Sequence, residues 1–207
     1  MDFNYTQHLI NISASLQRII VGGSFAIIIG ICLGILRYLL PSFIKKNVIF
    51  NFICDAIKFP PPIAWIPFVV LWVGIGDKSS WLIVFIGVFP SVFTQTYESL
   101  NNIKADYLQT LRSLEWPLRK KIFKFYIPAI LPQLFIGIKV GLGMGWMSII
   151  AAEMISGVSG LGYSIQLGRI NLQYQQMLID ISSIAVIGFM IQFTIDFIQK
   201  RVIKWQI

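Results

Sequence analysis

Residues 19–36 read IIVGGSFAIIIGICLGIL, eighteen consecutive positions without a charged side chain. A helix needs about 20 mostly apolar residues to cross the hydrocarbon core of a bilayer, so this run, continued past Arg37, predicts a membrane span at about 19–40. Inside it Gly22, Ala26, Gly30 and Gly34 recur at four-residue intervals. That spacing places them on one helix face, and in lipid such a small-residue face lets neighbouring backbones approach closely. Uncharged runs predict spans at about 59–76 and 79–97, and apolar stretches that contain Lys139 and Glu153, and Asp180 and Asp196, predict spans at about 132–157 and 178–199, the fourth span carrying a second small-residue series at Gly137, Gly141 and Gly145. The fold class expected is all-α: a polytopic membrane helix bundle with about five transmembrane helices, residues 1–207 forming one transmembrane domain.

Composition agrees. Charged residues are 13% of the chain, about half the roughly 25% of a soluble protein, too few to coat a water-soluble globule. The net charge of +8 would raise nucleic-acid binding in a soluble domain. In a membrane bundle it reads as topology, and no nucleic-acid partner is expected. With the C-terminus cytoplasmic, the inner segments hold Lys45, Lys46, Lys58, Lys104, Arg112, Arg119, Lys120, Lys121, Lys124, Lys200, Arg201 and Lys204. The outer segments hold Arg18, Lys78 and Arg169, so the N-terminus is expected outside. Residues 1–15 carry neither a basic residue nor an apolar core and do not read as a cleaved signal peptide.

Catalytic patterns are scarce. The sequence contains no G-x-x-x-x-G-K-[ST] loop for ATP, and the glycines at 141, 143 and 145 follow no strand and make no dinucleotide fingerprint. Two cysteines and one histidine give no metal spacing, and His8, in the outer N-terminal segment, leaves no Ser/His/Asp set expected. The unusual segment is the connection at about 98–131. Leu108, Leu111, Leu114 and Leu118 recur there at helical spacing, and Arg119, Lys120, Lys121 and Lys124 follow. Periodicity alone leaves two readings open, a helix lying on the membrane surface and a helix offered to a groove on a cytoplasmic partner.

Within the fourth span, Lys139 and Glu153 are fourteen residues apart, which places them about 40° apart around the helix and about 21 Å apart along it. A carboxylate inside a span costs about 2.5–3.5 kcal/mol on insertion scales, so that face is expected to turn toward the bundle interior or a water-filled path. A Glu153 merely solvated near the outer interface is the alternative.

Four stretches in order carry a resemblance: Ser15-Leu16-Gln17-Arg18 entering the first span; Phe59-Pro60-Pro61-Pro62-Ile63-Ala64-Trp65-Ile66-Pro67 with Leu71-Trp72-Val73-Gly74-Ile75-Gly76; the long loop; and Gly141 to Trp146 through Ala151-Ala152-Glu153-Met154-Ile155 to Gly160-Leu161-Gly162-Tyr163. The chain resembles the permease subunit of a type I bacterial ABC importer, in the nitrate, sulfonate, taurine and bicarbonate branch. The family's coupling motif falls on Gln109, Thr110, Leu111 and Glu115 and closes on Phe125, Ile127 and Pro128. Its spacing is kept, while its acidic residue and its glycine are replaced. Relatives in this branch often have a further N-terminal span.

The resemblance implies a permease that forms the solute path across the bacterial cytoplasmic membrane. It implies cytoplasmic ABC ATPases as partners, which hold the ATP and Mg and leave no cofactor on this chain. It further implies a second permease chain, in a homodimer or as a paralogue, an extracytoplasmic solute-binding protein, and a small anion or related small molecule as solute. Asp106, Tyr107, Leu108, Gln109, Thr110, Leu111, Arg112, Ser113, Leu114 and Glu115 would couple to the ATPase, with Leu108, Leu111 and Leu114 as the apolar contact. Lys139, Trp146 and Glu153 are the expected translocation-path residues. A stand-alone channel or secondary transporter is the alternative, and it would show charged rings or paired discontinuous helices.

Overall fold

The computed structural model describes residues 5–41, 44, 47–104, 107, 109, 111, 113 and 116–203, and no strand occurs among them. The helices are α1 (Tyr5–Leu39), α2 (Val48–Ala56), a 3-10 turn (Pro62–Trp65) leading into α3 (Ile66–Val73), α4 (Asp77–Asn101), α5 (Leu118–Lys121), a π-helical turn (Ile122–Tyr126), α6 (Ile127–Ser156), α7 (Leu161–Ile170) and α8 (Tyr174–Val202). Four stretches are long and apolar enough to cross a membrane: Tyr5–Leu39, Asp77–Asn101, Leu118–Ser156 and Tyr174–Val202.

The glycine faces are the contact surfaces between α1, α4 and α6. A methyl group added at Gly22 would sit 2.6 Å from the Trp81 carbonyl oxygen, and one at Gly34 would sit 2.7 Å from Thr96 Cβ. Gly30 meets Val92 between them, so α1 and α4 run parallel, side by side. Ala26, on the same face, is fully buried. On α6, Gly137 packs on Gln95 and Gly141 on the Val88 carbonyl, while Gly145 approaches Val84 and Val88, so α6 runs antiparallel to α4. The core between these helices is built on Ile83, Val84, Val88, Val92 and Ile149, all buried.

Two parallel neighbours require a return between them. Arg37 bonds Asp55 at one end of the bundle, and Arg18 bonds Asp77 at the other. Nineteen residues of α1 separate those arginines, about 29 Å of helical rise. Residues 56–76 therefore traverse the bundle, but not as the continuous helix expected at 59–76. Only Pro62–Val73 is helical in that stretch, because Pro61 is extended, so that the helix starts at Pro62, and Gly74 and Gly76 end it at φ of 86° and 139°. The chain thus crosses five times, four times as a long helix and once as a broken one, and residues 5 and 203 lie at opposite ends.

Two further boundaries differ from expectation. Helix α1 begins fourteen residues before the apolar run because Asn11, Ser15 and Arg18, though polar, are buried against α6 and α7. The fourth crossing starts at Leu118 instead of 132, which shortens the loop. The π-helical turn Ile122–Tyr126 lies where Pro128 withholds an N–H from the preceding turn.

Candidate functional site

Lys139, Trp146 and Glu153 do share one face of α6, and other helices pack against it. Lys139 Nζ lies 2.6 Å from Asp196 Oδ1 on α8, a pair that is partly exposed. The Trp146 indole N–H donates to the Ile184 carbonyl of α8 at 3.2 Å, beside Gly188. Glu153 is 1% exposed and accepts from Ser15 Oγ (2.8 Å), Arg18 Nη1 (2.8 Å) and the Gly162 N–H (3.0 Å). Within this chain Trp146 and Glu153 are enclosed by other helices, while Lys139 stays partly exposed. The three tie α6 to α8, α1 and α7, and they are not among the residues that line the α4–α6 cavity described below.

Glu153 belongs to a clasp at the Asp77 end of the bundle. All five guanidinium N–H groups of Arg18 are used: on Asp77 through Nε and Nη2, on Glu153 and the Ser159 carbonyl through Nη1, and on Ser159 Oγ through Nη2. The opening N–H groups of α7 are taken by the same side chains, Gly160 by Asn11, Leu161 by Ser15 and Gly162 by Glu153. A carboxylate at a helix N-terminus is favoured by both the free N–H groups and the helix dipole. In the sequence Arg18 counts as an outer charge and as the end of the Ser15–Arg18 stretch that carries the resemblance, with no partner assigned to it. Its signal was its place at the mouth of a span, but its partners lie 59 and 135 positions away.

A second cluster contradicts the expectation that no Ser/His/Asp set would form. His8 Nδ1 lies 3.0 Å from Asp180 Oδ1 and Nε2 lies 3.1 Å from Ser183 Oγ. Ser183 donates its hydroxyl hydrogen to the Ile179 carbonyl, so toward His8 it accepts, and it sits mid-helix with its neighbouring backbone N–H groups spent in α8. The cluster fastens α1 to α8 and assembles no nucleophile.

A face of α6 that borders open space carries Ile136, Gly137, Val140 and Met144. With Ile86, Gly87, Pro90, Ser91, Thr94, Gln95 and Glu98 of α4, and Lys58, Pro60 and Pro62 of the broken crossing, it lines a cavity of about 320 Å³. Irregular backbone at membrane depth is tolerated where it lines such a space.

In the loop, the described residues 107, 109, 111 and 113 are helical. Tyr107, Gln109 and Ser113 are exposed, whereas Leu111 is 3% exposed. The expectation that Leu111 offers an apolar contact to a partner is therefore corrected, since its own chain covers it. Asp106, Leu108, Thr110, Arg112, Leu114 and Glu115 lie outside the described residues.

Residues 13–204 match the family described as binding-protein-dependent transport system inner membrane component. The chain belongs to that family. It is 30% identical over 205 residues to the taurine transport system permease protein TauC of Escherichia coli, covering 99% of this chain and 72% of that one. It is also 30% identical to the nitrate import permease protein NrtB of Leptolyngbya laminosa, over 93% of this chain and 68% of the relative. An inward-facing structure of the MetNI methionine ABC transporter superposes with a TM-score of 0.77, covering 95% of this chain and 96% of the other at 22% identity. This permease is thus a multi-pass inner-membrane subunit of an ATP-driven ABC importer, and its five-crossing bundle is the solute-conducting part of that machine.

Proposed function

We propose that this permease imports a small oxyanion-bearing solute along the cavity between α4, α6 and the broken crossing. The observation that carries this reading is that this cavity is bordered by polar side chains, Ser91, Thr94 and Gln95 on α4 with the exposed Lys58 and Glu98 at its edge, whereas Trp146 and Glu153 of α6 are packed against α8, α1 and α7. The relatives named for taurine, aliphatic sulfonates, nitrate and bicarbonate support an anionic cargo. In this reading two copies form a homodimeric path, and ATP and Mg reside on separate cytoplasmic ATPase subunits, in keeping with the absence of a P-loop sequence here. An extracytoplasmic protein delivers the solute. The N-terminus lies outside and the C-terminus inside, which puts Lys104, Arg119, Lys120, Lys121, Lys124, Lys200 and Arg201 on the cytoplasmic side. Tyr107 and Gln109, exposed in the loop between α4 and α5, present that loop to the ATPase.

Uptake of taurine, an aliphatic sulfonate, nitrate and bicarbonate by cells with and without the gene tests the cargo class. Loss of energised uptake of at least one, restored by the intact chain, is the expected result; unchanged uptake of all four would refute an oxyanion cargo.

A further inference from the structure

Helix α2 has its polarity reversed relative to a helix that faces water. The side it turns toward its own chain carries Asn51 and Asp55, which accept from Arg37 Nη2 and Nη1 at 3.2 Å each, and Cys54, packed against the core. The side it leaves uncovered carries Val48, Ile49, Phe52 and Ile53, between 63% and 80% exposed. At 3.6 residues per turn these four fall within an arc of about 140°, and the only other residue of α2 in that arc is Ala56. A helix whose outer side met water would carry polar residues there.

Arg37 fixes the level at which that apolar side lies. It is the first charged residue after the uncharged run 19–36, and Arg18, the last before it, is bonded to Asp77 at the other end of the bundle. The rise of α1 between the two arginines is about 29 Å, against about 30 Å for the hydrocarbon core of a bilayer. Arg37 thus marks one edge of the hydrocarbon. It is held there: its guanidinium is buried, lies 3.9 Å from the centre of the Tyr97 ring of α4, and grips α2 through two residues one turn apart.

The charges of the segment agree with that level. Residues 41–76 contain three lysines, Lys45, Lys46 and Lys58, and one acidic residue, Asp55, which is already on Arg37. Basic residues flanking an apolar helix side suit phosphate headgroups bordering acyl chains. Pairing α2 with the α2 of a second copy across a two-fold axis would instead bring like charges together.

We propose that α2 is an interfacial helix whose partner is the lipid surface itself. Val48, Ile49, Phe52 and Ile53 enter the boundary between headgroups and acyl chains, to a depth of about 5–10 Å, while Asn51 and Asp55 hold the helix to Arg37. Seated in this way, α2 sets the depth at which the broken crossing begins, since Pro60 and Pro61 follow closely on its end.

The test is depth-resolved fluorescence quenching on the full chain in vesicles of phosphatidylcholine and phosphatidylglycerol. Bimane is attached to a single cysteine, Ile49→Cys, Phe52→Cys or Ile53→Cys, with Cys32 and Cys54 replaced by alanine; three positions guard against one variant that fails to fold. A nitroxide high on the lipid acyl chain should quench all three about equally, and roughly twofold or more above a nitroxide near the chain end, as an interfacial depth requires. Iodide in the water should quench them little. Ile28→Cys, exposed about halfway between the two arginines, should show the opposite preference for the deep nitroxide. Quenching by iodide alone would place the side in water, and quenching by neither agent would mean that protein covers it, a second copy included; either result overturns the proposal. Stronger quenching of 49, 52 and 53 from the deep nitroxide, or of 28 from the shallow one, overturns it as well.

Discussion

Arg18 and Glu153 each sit where an unpaired charge would be costly, and each is made tolerable by the other and by Asp77, Ser15, Ser159 and the start of α7. Breaking a buried ion pair by removing one partner costs about 3–5 kcal/mol, because the remaining charge stays buried. Arg18→Gln and Glu153→Gln should each lower the melting temperature of the purified chain in detergent. The double variant should lose markedly less than the sum of the two; simple additivity would show that the pair is not coupled. Glu153 could be singled out in the sequence because a carboxylate in a span is expensive. Its role could not, since nothing local distinguishes a carboxylate turned to a water path from one satisfied by an arginine 135 positions earlier.

At the scale of elements, the small-residue faces at Gly22–Gly34 and Gly137–Gly145 were legible because a four-residue period is a property of the helix itself. Their partners were not, since α4 offers no comparable stripe. Gly141 faces the Val88 carbonyl oxygen, which a methyl group would approach to 2.9 Å. Because that oxygen is backbone and cannot rotate away, Gly141→Val should push α6 from α4 and cost about 1–3 kcal/mol. Lowered yield of folded chain in gel filtration would register this, and an unchanged melting temperature would contradict the packing described. The loop at 107–113 divides by exposure. Leu111→Ala should loosen the loop and lower its resistance to proteolysis, because the side chain is buried. Tyr107→Asp alters an exposed position and should leave the fold intact while weakening ATPase binding. If Leu111→Ala left proteolysis unchanged, the burial of Leu111 would not be what orders the loop. The broken crossing was the element least legible in advance. Hydropathy sees residues 59–76 as one apolar run, while the extended Pro61 and the two positive-φ glycines decide how much of it is helical.

For the whole molecule, the parallel packing of α1 and α4 requires one return between them, and with α6 and α8 each reversing direction this makes five crossings and separates the two termini. Single cysteines at residue 5 and at residue 203, in a chain with Cys32 and Cys54 replaced, should react with a membrane-impermeant maleimide from opposite sides of sealed vesicles. Labelling of both from one side would contradict the five-crossing topology. The polarity of the bundle also places the α4–α5 loop and the basic α5 at the same end as residue 203, the end at which the proposed contact with the ATPase would be made. The measurement that tests this coupling most directly is gentle extraction of a tagged chain from its native membrane, with the wild type and Tyr107→Asp compared side by side. A P-loop ATPase copurifying in stoichiometric amount with the wild type, and largely lost from Tyr107→Asp while the permease still elutes as a folded species, is the predicted result. A wild-type chain that purifies alone from several mild detergents, or an ATPase retained undiminished by Tyr107→Asp, would contradict it.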